Sequence, residues 1–225
     1  MKIFKYFSRI ELILWFSSLL FITLSFCIFD MNNYLTLIAS LLGATALIFC
    51  AKGNPIGQFL IIIFGLLYAY ISYTFSYYGE MVTYLAMTAP SALASLISWL
   101  KNPYNGNKAE VKVNSISKKE TIFMLFLSII VTIIFYFVLR YFKTANLIPS
   151  TISITTSFIA VYLTFRRSAF YALAYAANDV ILITLWILAT ITNLSYLSVV
   201  ICFITFLIND LYGFFNWINM QKRQI

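Results

Sequence analysis

Two stretches near the carboxyl end of the chain combine amide, carboxylate and indole side chains at the same spacing. The two sets are Asn178, Asp179 and Trp186, and Asn209, Asp210 and Trp217. In each set the tryptophan follows the aspartate by seven residues, about two helical turns, so the two side chains share one face of a helix. Such groups can enclose a flat ring, hydrogen-bond hydroxyl groups and attract a cation. We therefore predict a pocket for a nucleoside-like or heteroaromatic solute, against the alternative that these residues only join helices.

Four more residues are candidates for the same pocket. Tyr212 and Asn216 lie on the helical face of Asn209. Gln58 and Trp99 lie in the first half of the chain, from which they would complete the pocket. The predicted binding set therefore draws on both halves.

The composition indicates that the bilayer is the solvent of this chain. Of its 225 residues, 62% are hydrophobic and 10% are charged, whereas an average soluble domain has roughly 45–50% apolar residues. Apolar runs of about 20 residues match the ~30 Å hydrocarbon layer of a membrane. These runs and the polar breaks between them predict eight membrane-spanning helices. Their predicted bounds are 11–29, 34–51, 56–77, 81–100, 119–142, 147–165, 168–190 and 193–219.

Positive charge follows the predicted loops in a pattern that orients the chain. Eight spans place both termini on one side, and thirteen of the 15 Lys and Arg residues fall on that side. The two exceptions are Arg140 and Lys143. Because cytoplasmic loops are enriched in Lys and Arg, we predict that both termini are cytoplasmic. The net charge of +8 is then explained by membrane orientation rather than by nucleic-acid binding.

A weak internal repeat relates the second to fourth predicted helices to the sixth to eighth. The segment from Lys52 to Leu66 matches the segment from Arg166 to Val180 at an offset of 114 residues. Equivalent helices enter the membrane in the same direction, which is the parallel-repeat plan of some transporters. The predicted divisions are an amino-terminal span at 1–33, a first three-helix repeat at 34–100, a loop and linker helix at 101–146, and a second repeat with its tail at 147–225.

Several function classes lack the residues that they need. The chain has no Gly-x-x-x-x-Gly-Lys-[Ser/Thr] motif, so we predict no nucleotide-driven motor within it. It has no histidine, and its three cysteines are scattered in apolar segments, which argues against a metalloenzyme. We predict no enzymatic activity, no cofactor and no metal. A cation channel past Asp179 and Asp210, and a non-transporting assembly factor, remain as alternatives.

Three segments resemble the PnuC family of bacterial vitamin transporters. They are FLINDLYGFFNW at 206–217, AANDVILITLW at 176–186 and the turn KGNPIGQF at 52–59. The resemblance covers nearly the whole chain and implies uptake of nicotinamide riboside by facilitated diffusion, with intracellular phosphorylation trapping the product. It also implies an all-α integral membrane protein with about eight transmembrane helices, whose core is a 3+1+3 parallel repeat like that of SWEET proteins. An extra amino-terminal span and a homotrimer belong to the same expectation.

The resemblance and the residues together predict how the site works. We expect alternating access in a bacterial inner membrane, with Trp186 and Trp217 enclosing the ring of the solute. Asp179 and Asp210 would position helices or balance charge. Bonds to the ribose or carboxamide are expected from Asn178, Asn209, Asn216 and Tyr212. Thiamine or another nucleoside-like vitamin remains an alternative cargo, because thiamine and nicotinamide riboside are both cationic heteroaromatics.

Overall fold

The computed structural model describes residues 6–74, 78–144 and 146–225, and in these ranges it has eight helices long and apolar enough to cross a membrane. The prediction of eight spans is confirmed. The helices are α1 (Arg9–Phe29), α2 (Tyr34–Ala51), α3 (Pro55–Thr74), α4 (Tyr78–Lys101), α5 (Lys118–Tyr141), α6 (Leu147–Phe165), α7 (Tyr171–Thr190) and α8 (Leu197–Gln224). The predicted end of the third helix, at residue 77, lies outside the described residues.

Two of the helices that start on the predicted cytoplasmic side, α1 and α5, have serine caps. Before α1, the Ser8 side chain accepts a hydrogen bond from the Glu11 backbone N–H, and the Glu11 carboxylate accepts one from the Ser8 backbone N–H. Before α5, Ser117 accepts from the Glu120 backbone N–H. These bonds satisfy backbone donors that the first turn of a helix leaves without partners.

Helix α4 contains a π-helical turn at Tyr84–Thr88. The backbone N–H of Ala89 bonds to the carbonyl of Tyr84, five residues back. Pro90, which has no N–H to donate, follows directly. The wide turn therefore lets α4 pass through the proline without ending, and it lies in the wall of the cavity described below.

The last two helices differ from their predicted bounds. Helix α7 begins at Tyr171 rather than 168, because a turn follows Arg167, in which the Tyr171 N–H donates to the Ser168 carbonyl at 3.2 Å. A short 3-10 helix, Leu194–Tyr196, precedes α8. At its other end α8 continues beyond 219, where Gln224 donates to the carbonyl of Val111 at 3.1 Å.

The long polar loop between α4 and α5 contains a β-hairpin. Strand β1 (Pro103–Tyr104) pairs antiparallel with β2 (Asn107–Val111). Asn105 and Gly106 both have positive φ, as a tight two-residue hairpin turn requires. The hairpin packs beneath the helices on the predicted cytoplasmic side.

The helices form two groups of three, the first group α2–α4 and the second group α6–α8, and the first helix of each group packs against the last helix of the other. Within each group, neighbours in sequence are neighbours in space: α2 with α3 and α3 with α4, then α6 with α7 and α7 with α8. Between the groups, α2 packs against α8 and α4 packs against α6. Helix α1 covers α2 and α8, and α5 lies against α6. A cavity lies between the two groups.

The turns that follow α2 and α6, on the predicted cytoplasmic side, make the same hydrogen bonds at the predicted offset of 114 residues. The Gly53 N–H donates to the carbonyl of Cys50 at 2.8 Å, and the Arg167 N–H donates to the carbonyl of Thr164 at 3.0 Å. The loop after α4 bonds to both turns, through Val111 N–H to the Gly53 carbonyl and Asn114 N–H to the Arg167 carbonyl, each at 2.9 Å. One loop therefore ties both groups together.

Candidate functional site

The cavity has a volume of about 190 Å³ and is walled by α2, α3, α4, α6, α7 and α8, with Leu139 of α5 also in the wall. At one end its wall reaches Glu80 in the first turn of α4 and Thr144 in the α5–α6 connection. At the other end it reaches Cys50 and Gln58, close to the turn between α2 and α3. It therefore extends through much of the thickness that the helices span.

The second group of helices supplies an amide that is held in a fixed orientation. The Asn178 side-chain oxygen accepts hydrogen bonds from Ser153 Oγ and Thr156 Oγ1, both at 2.9 Å. Both hydroxyls belong to α6, whereas Asn178 belongs to α7. Because its oxygen is occupied in this way, the amide nitrogen is the end of Asn178 suited to meet a solute.

Two carboxyl groups lie together on the same side of the cavity. Asp179 of α7 and Asp210 of α8 are both buried and lie within hydrogen-bonding reach of each other. The Asp179 Oδ2 atom has no protein partner in the described part of the chain. Unpaired carboxyl oxygens at this depth are costly unless a ligand, water or proton meets them.

The first group of helices lines the cavity with different chemistry. Gln58 of α3 donates to Cys50 Sγ at 3.3 Å. Phe64, Tyr68 and Tyr84 form an aromatic cluster, with ring centroids 4.6 Å apart for Phe64–Tyr68 and 5.3 Å apart for Tyr68–Tyr84. It is called the outer aromatic cluster because Tyr68 and Tyr84 lie toward the Glu80 end of the cavity. This side of the cavity is mainly aromatic and apolar.

Five of the ten predicted binding residues line the cavity. They are Gln58, Asn178, Asp179, Trp186 and Asp210. Trp186 is near the carboxyl-terminal end of α7, where the centroid of its ring lies 5.3 Å from that of Tyr196. Their binding of a solute stays a prediction, but the tertiary structure places them around one space.

The structure places the other five predicted residues outside the cavity wall. Asn209 donates to Ser18 Oγ of α1 at 2.9 Å, and Tyr212 donates to Glu11 at 3.2 Å. The Asn216 amide donates to the Ala51 carbonyl at 2.8 Å. These groups hold α8 to α1 and α2, because the seven-residue spacing that aligns side chains along a helix does not say which neighbour that face meets.

The remaining two, Trp99 and Trp217, are fully buried beneath the cavity. The Trp99 indole donates to the Thr164 carbonyl at 2.9 Å, and the Trp217 indole donates to the Cys50 carbonyl at 2.8 Å. Their ring centroids lie 5.3 Å apart, and Tyr171 packs edge-on against Trp217 at 4.8 Å. These rings close the end of the cavity, so the structure does not bring them to the solute.

Sequence reasoning missed several residues of the cavity wall. Glu80 is not among the predicted binding residues, and the hydroxyls that orient Asn178 lie on α6, which carries no Asn-Asp pair. A carboxylate beside an apolar run was the available signal for Glu80, since such residues at membrane depth are usually functional. The aromatic cluster gave no usable signal, because aromatic residues make up 19% of the chain.

The charged side chains among the described lining residues of the cavity are all acidic. Its lining includes the carboxyl groups of Glu80, Asp179 and Asp210, and no Lys or Arg stands among the lining residues of the described ranges. In those ranges no group of three or more His, Cys, Asp or Glu could hold a metal ion. Acidic groups next to aromatic faces in a low-dielectric space attract organic cations.

Eight apolar helices with an interior cavity that contains aromatic and acidic side chains define a multi-pass membrane protein of the kind that moves small solutes. The sequence profile of the family described as "Nicotinamide mononucleotide transporter" matches residues 33–219. The chain belongs to this family, which confirms the PnuC-type family that the three sequence motifs predicted.

Two curated relatives and one solved structure are similar to the chain. The "Nicotinamide riboside transporter PnuC" of Neisseria mucosa is 26% identical over 200 residues, covering 87% of this chain and 76% of the relative. That of Haemophilus influenzae is 23% identical over 193 residues, covering 85% and 82%. The crystal structure of the vitamin B3 transporter PnuC superposes with a TM-score of 0.83 at 24% identity, covering 97% of this chain and 94% of that one. This likeness shows a shared fold.

Proposed function

We propose that this chain carries nicotinamide riboside across the membrane. The observation that carries the proposal is a cavity with three carboxyl groups, an oriented amide and aromatic faces, and no basic side chain among its described lining residues. Nicotinamide riboside is a flat cationic ring joined to a ribose, so each of these groups has a matching part of the solute. The names of both curated relatives agree with this cargo.

The charge of the cavity favours the riboside over the mononucleotide in the family's description. A phosphate group would bring about two negative charges at neutral pH into a space that already holds Glu80, Asp179 and Asp210. Like charges in a desolvated site repel, and no lysine or arginine of the described lining would offset them. The same acids favour a pyridinium cation.

In the proposed site, Asp179 and Asp210 balance the charge of the ring at the buried end. The Asn178 amide and Gln58 bond to the ribose or carboxamide, and Trp186 covers the ring from the outer side. Ser153 and Thr156 keep the Asn178 amide turned toward the solute. The five predicted residues outside the cavity wall act in this proposal on helix packing.

The unequal ends of the cavity support alternating access. With the termini cytoplasmic, the end near Glu80 and Thr144 faces outward, and Trp99, Trp217 and the hairpin close the cytoplasmic end. Release into the cell would require those contacts to open. The transport is then facilitated diffusion through the bacterial inner membrane, made unidirectional by intracellular phosphorylation of the product. We propose a homotrimer as the assembly, and a 3+1+3 repeat as the origin of the crosswise helix contacts.

Binding to the purified protein tests the proposal. Nicotinamide riboside, nicotinamide mononucleotide, thiamine and an uncharged nucleoside are titrated by isothermal calorimetry. We expect saturable binding of the riboside and at least tenfold weaker binding of the mononucleotide, a difference of about 1.4 kcal/mol. Tighter binding of the mononucleotide, or no binding of the riboside, contradicts the proposal. The Trp186→Phe variant tests whether the cavity binds the solute, and Trp217→Phe is the matched control outside the cavity wall.

Thiamine is the second candidate cargo, because its cationic ring also suits the acidic cavity. Preference for thiamine in the same titration would keep the carrier and change the cargo. A cation channel past the acid pair predicts single-channel currents in planar bilayers instead of saturable binding.

A further inference from the structure

Glu80 is a carboxylate that the proposed binding of the ring does not use. It lies in the first turn of α4, at the outer part of the cavity, where its side chain hydrogen-bonds with Ser72 of α3. Ser72 is buried, so the bond fixes the carboxylate against the wall between the two helices. A charged group held at this position needs an explanation beyond helix packing.

The surroundings of Glu80 are aromatic. Tyr68 and Tyr84 are close enough for its charge to act on both phenol groups. With Phe64 they make the outer aromatic cluster, whose three members all line the cavity. A carboxylate and several aromatic rings that line one cavity can bind an organic cation, by charge and by cation–π attraction together.

The outer carboxylate is separated from the inner acid pair along the membrane normal. The last residue of α7, Thr190, comes eleven positions after Asp179, which places Asp179 roughly 16 Å below that end at 1.5 Å per residue. Glu80 is two residues from the outer start of α4. The two acidic positions are therefore too far apart to hold one ring at the same time, and they belong to opposite groups of helices.

We propose that Glu80 and the outer aromatic cluster form a first station that captures the cationic ring before it reaches Asp179 and Asp210. The inference rests on the proposed function in taking a cationic heteroaromatic as cargo. The outer station sets the rate of capture and excludes anions at the entrance, whereas the inner acid pair sets the affinity. Glu80 is thus a specificity-determining residue for entry.

Stopped-flow binding of nicotinamide riboside to Glu80→Gln tests this assignment. Glutamine keeps the shape and the bond to Ser72 but removes the charge. We expect the association rate constant to fall roughly five- to tenfold at low ionic strength, and its salt dependence to flatten, because steering by a charge is screened by salt. The dissociation rate constant should change less than twofold. Glu80→Asp, which keeps the carboxylate, should restore most of the association rate.

Asp30→Asn is the matched control, because Asp30 lies in the α1–α2 connection on the same predicted side and outside the cavity wall. Burial raises the pKa of Asp30 above its usual range, so the comparison is made at pH 8, which favours the ionised carboxyl. This variant should leave the association rate constant within a factor of two. An equal loss in Asp30→Asn would assign the effect to general surface charge and overturn the inference.

Other outcomes separate the inference from the function on which it rests. If the wild-type protein binds the riboside and Glu80→Gln binds it at the wild-type rate, the outer station is wrong and the carrier stands. If the wild type binds no riboside, the proposed function fails first. Should Glu80→Gln not fold, Tyr84→Leu and Tyr84→Phe test the same station, since only the first removes an aromatic face. Equal association rates for these two variants would also overturn the inference.

Discussion

The two groups of three helices are alike where they close the predicted cytoplasmic end and unlike where they line the cavity. At the closed end, Trp99 of one group donates to α6 of the other, and Trp217 donates to α2 in return. In the cavity, the second group supplies Asn178 and two buried aspartates, whereas the first supplies the outer aromatic cluster and Glu80.

The difference shows that the same helix arrangement has two tasks, closing one end and binding a solute. Closing a gate between two similar groups needs contacts that match across the interface, so equivalent tryptophans and turns suit that task. Binding a solute with a charged ring at one end and a ribose at the other needs an asymmetric wall. The following predictions test this division at the cavity and at the closed end.

Asp210→Asn should have the largest effect. Replacing the inner carboxylate removes a charge-assisted contact to the ring, and we expect the affinity for nicotinamide riboside to fall about thirtyfold, on the order of 2 kcal/mol. Calorimetry measures the loss. Asn209→Ala, one residue earlier and outside the cavity wall, is the control; it should lower thermal stability and leave the affinity of the folded protein unchanged. A thirtyfold loss in Asn209→Ala would return that residue to the site.

Trp99→Phe and Trp217→Phe should have equal effects on stability. Each substitution removes an indole N–H from a buried carbonyl and leaves a small void, at a cost of about 1–3 kcal/mol. The unfolding temperature of each variant in detergent gives the comparison. Strongly unequal shifts would show that the two closing contacts are not energetically equivalent, and the likeness of the two groups would then be only geometric.

Gly53→Ala should destabilise the turn between α2 and α3 by about 1–2 kcal/mol. Gly53 has a φ of 66°, and a Cβ there would meet Met220 Cε at 2.8 Å and Val111 Cγ1 at 3.2 Å. Gly106→Ala is the matched control, since its φ is 77° and nothing lies within 4 Å of the added carbon. Thermal unfolding should show the larger loss in Gly53→Ala. Equal losses would mean that backbone strain alone, and not the contact with α8, makes glycine necessary at 53.

Thr156→Val should have the smallest effect. The substitution removes one of the two hydroxyl donors to Asn178 and keeps the shape of the side chain, so the amide remains tied to Ser153. We expect the riboside affinity to fall two- to fivefold, about 0.4–1 kcal/mol. The same substitution at Thr184, whose hydroxyl bonds within α7 to the Val180 carbonyl, provides the control. No loss at 156 would remove orientation of Asn178 from the proposed mechanism.

The amino-acid sequence by itself determined that this chain is a membrane protein and that it has eight membrane-spanning helices. Hydrocarbon excludes unpaired backbone groups, so an apolar run of sufficient length forms a helix whatever surrounds it. The same local logic placed the breaks at Asp30, at Gly53 and at Arg166-Arg167 within a few residues. The residues FLINDLYGFFNW and AANDVILITLW also identified the family.

Only the tertiary structure decided which polar residues meet in the cavity. Asn209 and Asp210 are adjacent on α8, yet one bonds to α1 and the other lines the cavity, since successive residues on a helix point about 100° apart. Trp186 and Trp217 follow their aspartates at the same spacing, yet only Trp186 reaches the cavity. Glu80 joins the cavity from a helix start that carries no motif. Helical spacing fixes which side chains share a face, but the packing of long-range neighbours fixes what that face touches.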